Sequence, residues 1–462
     1  MCRRFFLVGM ALLLTGCPRP QTYNRPEPPV PAAWPESAPD GAGDPAVDQV
    51  DWREFFTDRR LQSVIEMALA NNRDLRAAAL NVERVENLYR IQRVERYPTV
   101  SAGAQGQFYR IPESLSSNGQ ANTITQYDVS LGVTSWELDL FGRVRSLTAG
   151  ALEQYLATQQ ALAAAHISLV GAVTSTYLAL AADRENLRLA QSTFDAQRQA
   201  YELILRSRDL GVANDLELRQ AETQVEAARV DIARYTGQVA LDENSLNLLV
   251  GAPVPADLLP ADLGSVAALK EISAGLPSEV LLRRPDILLA EHQLRAAYAN
   301  IGAARATFFP RISLTGAGGI TSGHLSDLFE PGAGAWRFVP QVVLPIFDYG
   351  ARHANYRVAE VDRDLAVANY ERAIQSAFRE VSDALALRSR LVEQQRAQES
   401  LVKALEETYR LSQARYEAGV DSYLSVLVAQ RSLYTAQQGL LGVRLARVTN
   451  LVNLYKVLGG GA

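Results

Sequence analysis

The sequence predicts a mainly helical protein with a small β part, built as a tandem repeat. Three observations predict this class. Two proline-free runs of about 65 residues are rich in strong helix formers. Four short stretches alternate apolar with polar or small residues. The same motifs also recur in the same order in the two halves.

The halves match at an offset near 210 residues. Arg96-Tyr97-Pro98-Thr99-Val100-Ser101 pairs with Phe308-Phe309-Pro310-Arg311-Ile312-Ser313. Leu138-Asp139-Leu140-Phe141-Gly142 pairs with Leu344-Pro345-Ile346-Phe347-Asp348-Tyr349-Gly350, allowing two inserted residues. Arg208-Asp209-Leu210-Gly211-Val212 pairs with Tyr416-Glu417-Ala418-Gly419-Val420, and Leu246-Asn247-Leu248-Leu249-Val250-Gly251 with Leu454-Tyr455-Lys456-Val457-Leu458-Gly459. Each half reads as helix, strand, strand, long helix, break, helix. The chain divides into a signal peptide at 1–16, an extended N-terminal segment at 17–60, a first repeat at 61–270 and a second at 271–462.

In the first strand, residues 99–108, the even positions Val100, Ala102, Ala104, Gly106 and Phe108 are apolar or small, and the odd ones are mostly polar. Tyr127, Val129, Leu131 and Val133 form the apolar face of the second, and Ile312, Leu314, Gly316, Gly318 and Ile320 that of the third. Trp336, Phe338, Val342, Leu344 and Ile346 form the fourth, which Pro340 interrupts, a mark against a regular central strand. Each stretch has about the length of a tilted membrane strand, and a soluble antiparallel sheet is the alternative. Four strands cannot close a barrel, and open edges are not tolerated in lipid. A membrane reading therefore requires several copies to share one barrel. Two copies give eight strands with a filled interior; three are the smallest sharing that leaves a duct.

Residues 145–208 and 352–417 would each extend roughly 95 Å as helix, so they need partner helices and predict a coiled-coil-like bundle or helical barrel. The uncharged stretch at 161–182 carries His166, Ser168, Thr174, Ser175, Thr176 and Tyr177, which favours burial between helices over a membrane span. Each run breaks once, at Leu210-Gly211-Val212 and at Ala418-Gly419-Val420. Glycine takes the left-handed backbone that ends a helix. Asn214 or Asp215, and Asp421 or Ser422, are candidates to cap the helix that restarts. Repeat symmetry points both tips to one end, away from the strands.

Arg3 and Arg4, the apolar run from Phe5 to Leu14 and the small residues before Cys17 form a secretory signal. Leu14-Thr15-Gly16-Cys17 resembles a bacterial lipobox, which would place an N-palmitoyl group and an S-diacylglycerol on Cys17 as the only covalent additions; an ordinary signal with an incidental cysteine is the alternative. Pro18 stands where an inner-membrane retention aspartate would sit, which favours outer-membrane sorting. Residues 18–45, rich in Pro, Ala, Gly and Asp, predict an extended, uncored tether.

Cys2 and Cys17 are the only cysteines, so the body of the chain has no disulfide or thiolate metal site. A net charge of −5 argues against a nucleic-acid partner. His166, His292, His324 and His353 are scattered, with no metal-ligand spacing, and His292 beside Glu291 reads as helix surface. Gly316-Ala317-Gly318-Gly319 lacks the partners of a phosphate loop. No nucleophile–base constellation is present, which leaves no cofactor and no catalytic residue to name.

The chain resembles the TolC-like outer-membrane factor family, in its lipoprotein, OprM-like (NodT-type) branch. The resemblance rests on Gly275-Leu276-Pro277-Ser278-Glu279-Val280-Leu281-Leu282-Arg283-Arg284-Pro285-Asp286-Ile287, on Asn300-Ile301-Gly302-Ala303-Ala304-Arg305-Ala306 with the following Phe308-Phe309-Pro310-Arg311, and on Trp136-Glu137-Leu138-Asp139-Leu140-Phe141-Gly142-Arg143. It implies a homotrimer with a twelve-stranded transmembrane β-barrel, four strands per protomer, in outer-membrane lipid. A periplasmic helical barrel continues it. The implied function is the passive exit duct of a tripartite efflux pump for drugs or other small toxic compounds. A periplasmic membrane-fusion adaptor and an inner-membrane RND-type transporter are the implied partners. Leu210, Gly211, Val212, Ala418, Gly419 and Val420 are then adaptor-docking tips, unless the glycines only break helices. Leu424 and Val428 would line a constriction, unless they are coiled-coil core. Relatives of this branch often carry aspartate where Val428 stands, so a drier, hydrophobic ring is expected. Tyr416, Glu217, Asp421 and Arg431 are candidates to latch neighbouring helices. A non-conducting structural or adhesion lipoprotein and a periplasmic hydrolase are the competing classes.

Overall fold

The computed structural model describes residues 23–31, 33–35, 51–117, 119–266 and 278–460. The expected signal, Cys17 and Gly275-Leu276-Pro277 lie outside the described residues. The elements are α1 (Trp52–Phe55), α2 (Arg59–Asn71), α3 (Arg73–Val94), β1 (Val100–Ile111), β2 (Asn122–Glu137), α4 (Arg143–Asp209), α5 (Asp215–Val250), α6 (Pro285–Ala306), β3 (Arg311–Ser322), β4 (Gly334–Val343), α7 (Ala351–Glu417) and α8 (Tyr423–Val457). The order α-β-β-α-α thus occurs twice, and α4 and α7 are each 67 residues long. The chain forms two compact units, one from 1–27, 81–158 and 289–370 and one from 28–80, 159–288 and 371–462. Neither unit is a sequence repeat; each takes segments from both halves.

The first unit holds an antiparallel sheet in the order β1-β2-β3-β4. Its register places Ala104 opposite Val129 and Val129 opposite Ile320, so the alternating apolar sets fall on one face. Gln105, Asp128 and Thr321 share the other. A bulge between Val133 and Trp136, with Ser135 at φ 52° and its N–H donated to Thr315 Oγ1, keeps Trp136 on the apolar side. Pro340 is a regular strand residue opposite Leu314. Its position explains this: β4 is an edge strand, where a missing N–H disturbs no second ladder. The glycines allow a close approach, since a Cβ on Gly319 would lie 2.0 Å from the Val129 carbonyl oxygen. Among the described residues, nothing pairs with the outer side of β1 or of β4.

Where each hairpin returns to helix, an aspartate caps it. Asp139 accepts the N–H groups of Val144 and Arg145, and Asp348 those of Gly350 and Arg352. Gly142 and Gly350 take the left-handed backbone these turns need, at φ 80° and 87°. Glu137 binds Arg143 at 2.8 Å and Arg311 at 2.7 Å, which ties the base of β2 to the start of β3.

Two expectations from sequence require correction. The described part of the N-terminal segment is not an uncored tether. In the first unit Tyr23 donates to Glu291 at 2.9 Å, and Arg25 grips the same carboxylate through Nε and Nη2 at 3.2 and 2.5 Å. In the second unit Trp34 is buried and stacks on Phe378 at 4.8 Å. Nor is the Glu291-His292 pair on helix surface: Glu291 is 3% exposed at its side chain, with Arg295 as a further partner, and His292 Nδ1 lies 2.7 Å from Glu153. Burial works against the Glu291 charge, but hydrogen bonds from Arg25, Arg295 and Tyr23 outweigh it and hold the carboxyl below its usual range.

In the second unit Val170, Val173, Thr174, Tyr177, Leu178 and Ala181 form a buried stripe at helical spacing, with the Tyr177 hydroxyl donating to the Leu258 carbonyl. Helix α4 is long and apolar enough to cross a membrane by composition. The buried stripe shows instead that residues 161–182 pack on protein, as expected. Phe55, Phe56 and Tyr455 form an adjoining aromatic cluster.

An acid pair in this unit generates a prediction. Asp183 meets the buried Asp242; burial, and the hydrogen bond that protonated Asp183 donates to Asp242, push the Asp183 carboxyl up to about 6. A raised acid favours the folded state below its unfolded value near 3.8 and loses that contribution as pH rises through about 6. Asp183→Asn should therefore raise the melting temperature at pH 7.5, by on the order of 1 kcal/mol of stability, and leave it unchanged near pH 4. Circular-dichroism melts at the two pH values check this; equal shifts at both would refute it.

Candidate docking tips and gate

The tips lie in the second unit and end their helices in the same way. After α4, Gly211 sits at φ 74°; its N–H reaches the Arg208 carbonyl and that of Val212 the Ser207 carbonyl, at 2.9 and 2.8 Å. After α7, Gly419 sits at φ 70°, with Gly419 N–H on Tyr416 and Val420 N–H on Arg415, both at 2.9 Å. Both are Schellman stops, closed by a residue without a Cβ. The restarts differ. Asn214 caps α5 in a full capping box, its side chain taking the Glu217 N–H while Glu217 takes the Asn214 N–H. Ser422 occupies the cap of α8 without a side-chain bond.

One apolar core joins the two hairpins. Ile204, Leu218, Ala221, Tyr423, Val426 and Leu427 are buried together, with Tyr201, Tyr409 and Tyr416 packed against them. The turn residues face out: Leu210 is 80% exposed, Val212 82% and Val420 63%. The apex therefore presents exposed apolar side chains above this shared core.

Of the candidate gate residues, Leu424, Val428 and Arg431 lie on α8, whose two faces differ. Tyr423, Val426 and Leu427 face the core; Leu424 and Val428 are half exposed, with the exposed Arg431 on the same stripe. Leu424 and Val428 are therefore not core of the single chain. Tyr416 packs on Tyr423 with ring centroids 5.3 Å apart. Burial, then the Glu217 carboxylate, pushes the Tyr416 phenol up. Asp421 binds Arg415, at 2.6 and 3.3 Å, rather than Arg431. The Arg415 hydrogen bonds hold the Asp421 carboxyl below its ordinary range.

Arg415, Tyr409 and Tyr423 were not singled out from sequence. The signal was present as Tyr409, Tyr416 and Tyr423 at seven-residue spacing. The Tyr423 hydroxyl is buried without a hydrogen-bond partner, and its phenol is pushed up to about 12 by burial and the neighbouring tyrosines. Among the described residues no group of His, Cys, Asp and Glu is arranged to hold a metal ion.

The Arg415–Asp421 pair gives a signed expectation. A lowered carboxyl keeps the pair charged above its unfolded value near 3.8, and the contribution disappears as pH falls through the lower folded value. Replacing Arg415 with Ala should move the Asp421 titration, followed by side-chain carboxyl NMR, back up toward 3.8. A titration that does not move would show that the pair is not formed.

With this geometry in place, the comparisons are consistent. The outer membrane efflux protein family matches residues 64–252 and 276–460. Over 459 residues the chain is 48% identical to the probable efflux pump outer membrane protein TtgC of Pseudomonas putida, covering 98% of this chain and 95% of that one. It is 43% identical over 453 residues to outer membrane protein OprJ of Pseudomonas aeruginosa, covering 98% and 94%. Among solved structures, a membrane protein from Pseudomonas aeruginosa superposes with a TM-score of 0.91 at 41% identity, covering 96% and 98%. The open state of the Neisseria gonorrhoeae MtrE outer membrane channel superposes with a TM-score of 0.87 at 39% identity, again covering 96% and 98%. The doubled helical hairpins, the single four-stranded sheet and these likenesses lead to one conclusion: the chain belongs to the outer membrane efflux protein family, a family of channels rather than enzymes.

Proposed function

We propose that three copies of this chain enclose one passive exit duct of a tripartite efflux pump. The observation that carries this is the open sheet. Trp336 is 83% exposed on a face shared with Phe108, Leu131 and Phe338, while β1 and β4 each keep one side unpaired. Such edges and such a face are stable in lipid only if β1 of one copy pairs with β4 of the next. Three copies of four strands make a barrel of twelve, wide enough for a lumen.

The remaining parts follow from this arrangement. The apolar apex of Leu210, Val212 and Val420 docks a periplasmic membrane-fusion adaptor, and an RND-type transporter in the inner membrane supplies the energy. The exposed stripe of Leu424, Val428 and Arg431 faces the axis and narrows the duct; exposed ion pairs such as Arg415–Asp421 hold little energy, which suits opening by a partner. An acylated Cys17 anchors the chain to the membrane.

Purified protein should run as a detergent-dependent trimer and conduct in planar bilayers. A stable, water-soluble monomer would refute the shared barrel. Conductance should rise when Val428 or Arg431 becomes Ala; unchanged conductance would remove both from the gate. Intact mass of the mature protein should show a diacylglycerol and an acyl chain on Cys17, both absent in Cys17→Ala. An unmodified mature terminus would exclude the lipid anchor.

A further inference from the structure

Among the described residues, two formal charges on the sheet's polar face form no salt bridge. Asp128, on β2, takes hydrogen bonds only from neutral groups, Thr321, Gln126 and Gln105, and feels Arg337 through space without a direct contact; Gln126 Nε2 lies 3.1 Å from each of its oxygens and 3.3 Å from Thr321 Oγ1. Arg337, on β4, is exposed and opposite Ala317. Asp128 is opposite Thr321, and residues 317 and 321 share one side of β3, so the two charges share a face. They sit four residues apart along β3, about 13 Å of strand. Glu137 on the same face differs, since it is bonded directly to Arg311 and Arg143.

In a barrel the apolar face meets lipid and the polar face lines the lumen. We propose that Asp128 and Arg337 are selectivity determinants of the lumen, a carboxylate ring and a guanidinium ring stacked at two heights of the duct. This rests on the shared-barrel reading. The rings oppose one another. At about 0.01 M salt the screening length is near 30 Å, longer than their separation, so small ions feel a nearly cancelled field; near 0.1 M it is about 10 Å, and the cancellation is weaker. The balanced pair lets cationic, anionic and zwitterionic cargo pass without a strong electrostatic barrier, and removing either member creates one.

The test is the reversal potential of trimers in planar bilayers across a tenfold KCl gradient, in the Val428→Ala background if wild type conducts poorly. Asp128→Asn should move the permeability ratio toward anions and Arg337→Gln toward cations, each by roughly twofold or more. The double variant should return to the starting value. Unchanged potentials, or shifts of the same sign in both single variants, overturn the proposal. A complete absence of conductance, even in the Val428→Ala background, sinks the duct reading and this proposal with it. If the channels conduct but neither variant shifts selectivity, only the present inference fails.

Discussion

The structure depends on one unmet requirement: the backbone N–H and C=O groups along the outer sides of β1 and β4. In water such groups bind solvent. Beside an exposed apolar face of Trp336, Phe338, Phe108 and Leu131, there is no solvent to bind. The chain therefore presents a hydrogen-bonding surface that only another copy can complete. The close strand approach at Gly319 and Gly132, whose absent Cβ atoms make room for neighbouring backbone, binds the four strands into one sheet.

Duplication explains much of the rest. The same backbone solution occurs at both hairpin returns, where Asp139 and Asp348 cap α4 and α7, and at both tips, where Gly211 and Gly419 close Schellman stops. Backbone geometry is strict, so it is preserved between the halves. Side-chain chemistry is free to diverge around it. Tip one holds a capping box, while tip two lacks a side-chain cap and carries an Arg415–Asp421 bond across its turn. The shared core of Ile204, Leu218, Tyr423 and Leu427 makes the two hairpins one body. The exposed apex and the exposed stripe of α8 belong to that same body.

Buried charge is used differently in the two units. Glu291 is ionised because three donors meet it, two of them from the N-terminal segment. Asp183 meets the Asp242 carboxyl instead, and burial with that neighbour outweighs the pull of Arg234, so Asp183 favours its protonated form. Desolvation acts on both Glu291 and Asp183, and the groups that face each carboxyl decide the outcome.

The amino-acid order by itself determined the repeat, the four alternating strands, the long helices and their glycine breaks. These are local properties: a period of two or of 3.6 residues, or a positive φ that only glycine adopts easily. The open-barrel argument was also legible, because it needs only a count of strands and the intolerance of lipid for unpaired edges. Tertiary structure alone decided which partners meet. Arg25 and Glu291 are 266 residues apart, and nothing in either neighbourhood announces the other. Trp34 lies in a proline-rich stretch that reads as uncored, yet it is buried on Phe378. Asp421 pairs with Arg415 rather than Arg431 because the turn at Gly419 folds the chain back across six residues, while α8 carries Arg431 away on its exposed side. Spacing along the chain fixes which face a residue occupies; which charge it meets depends on how separate elements pack.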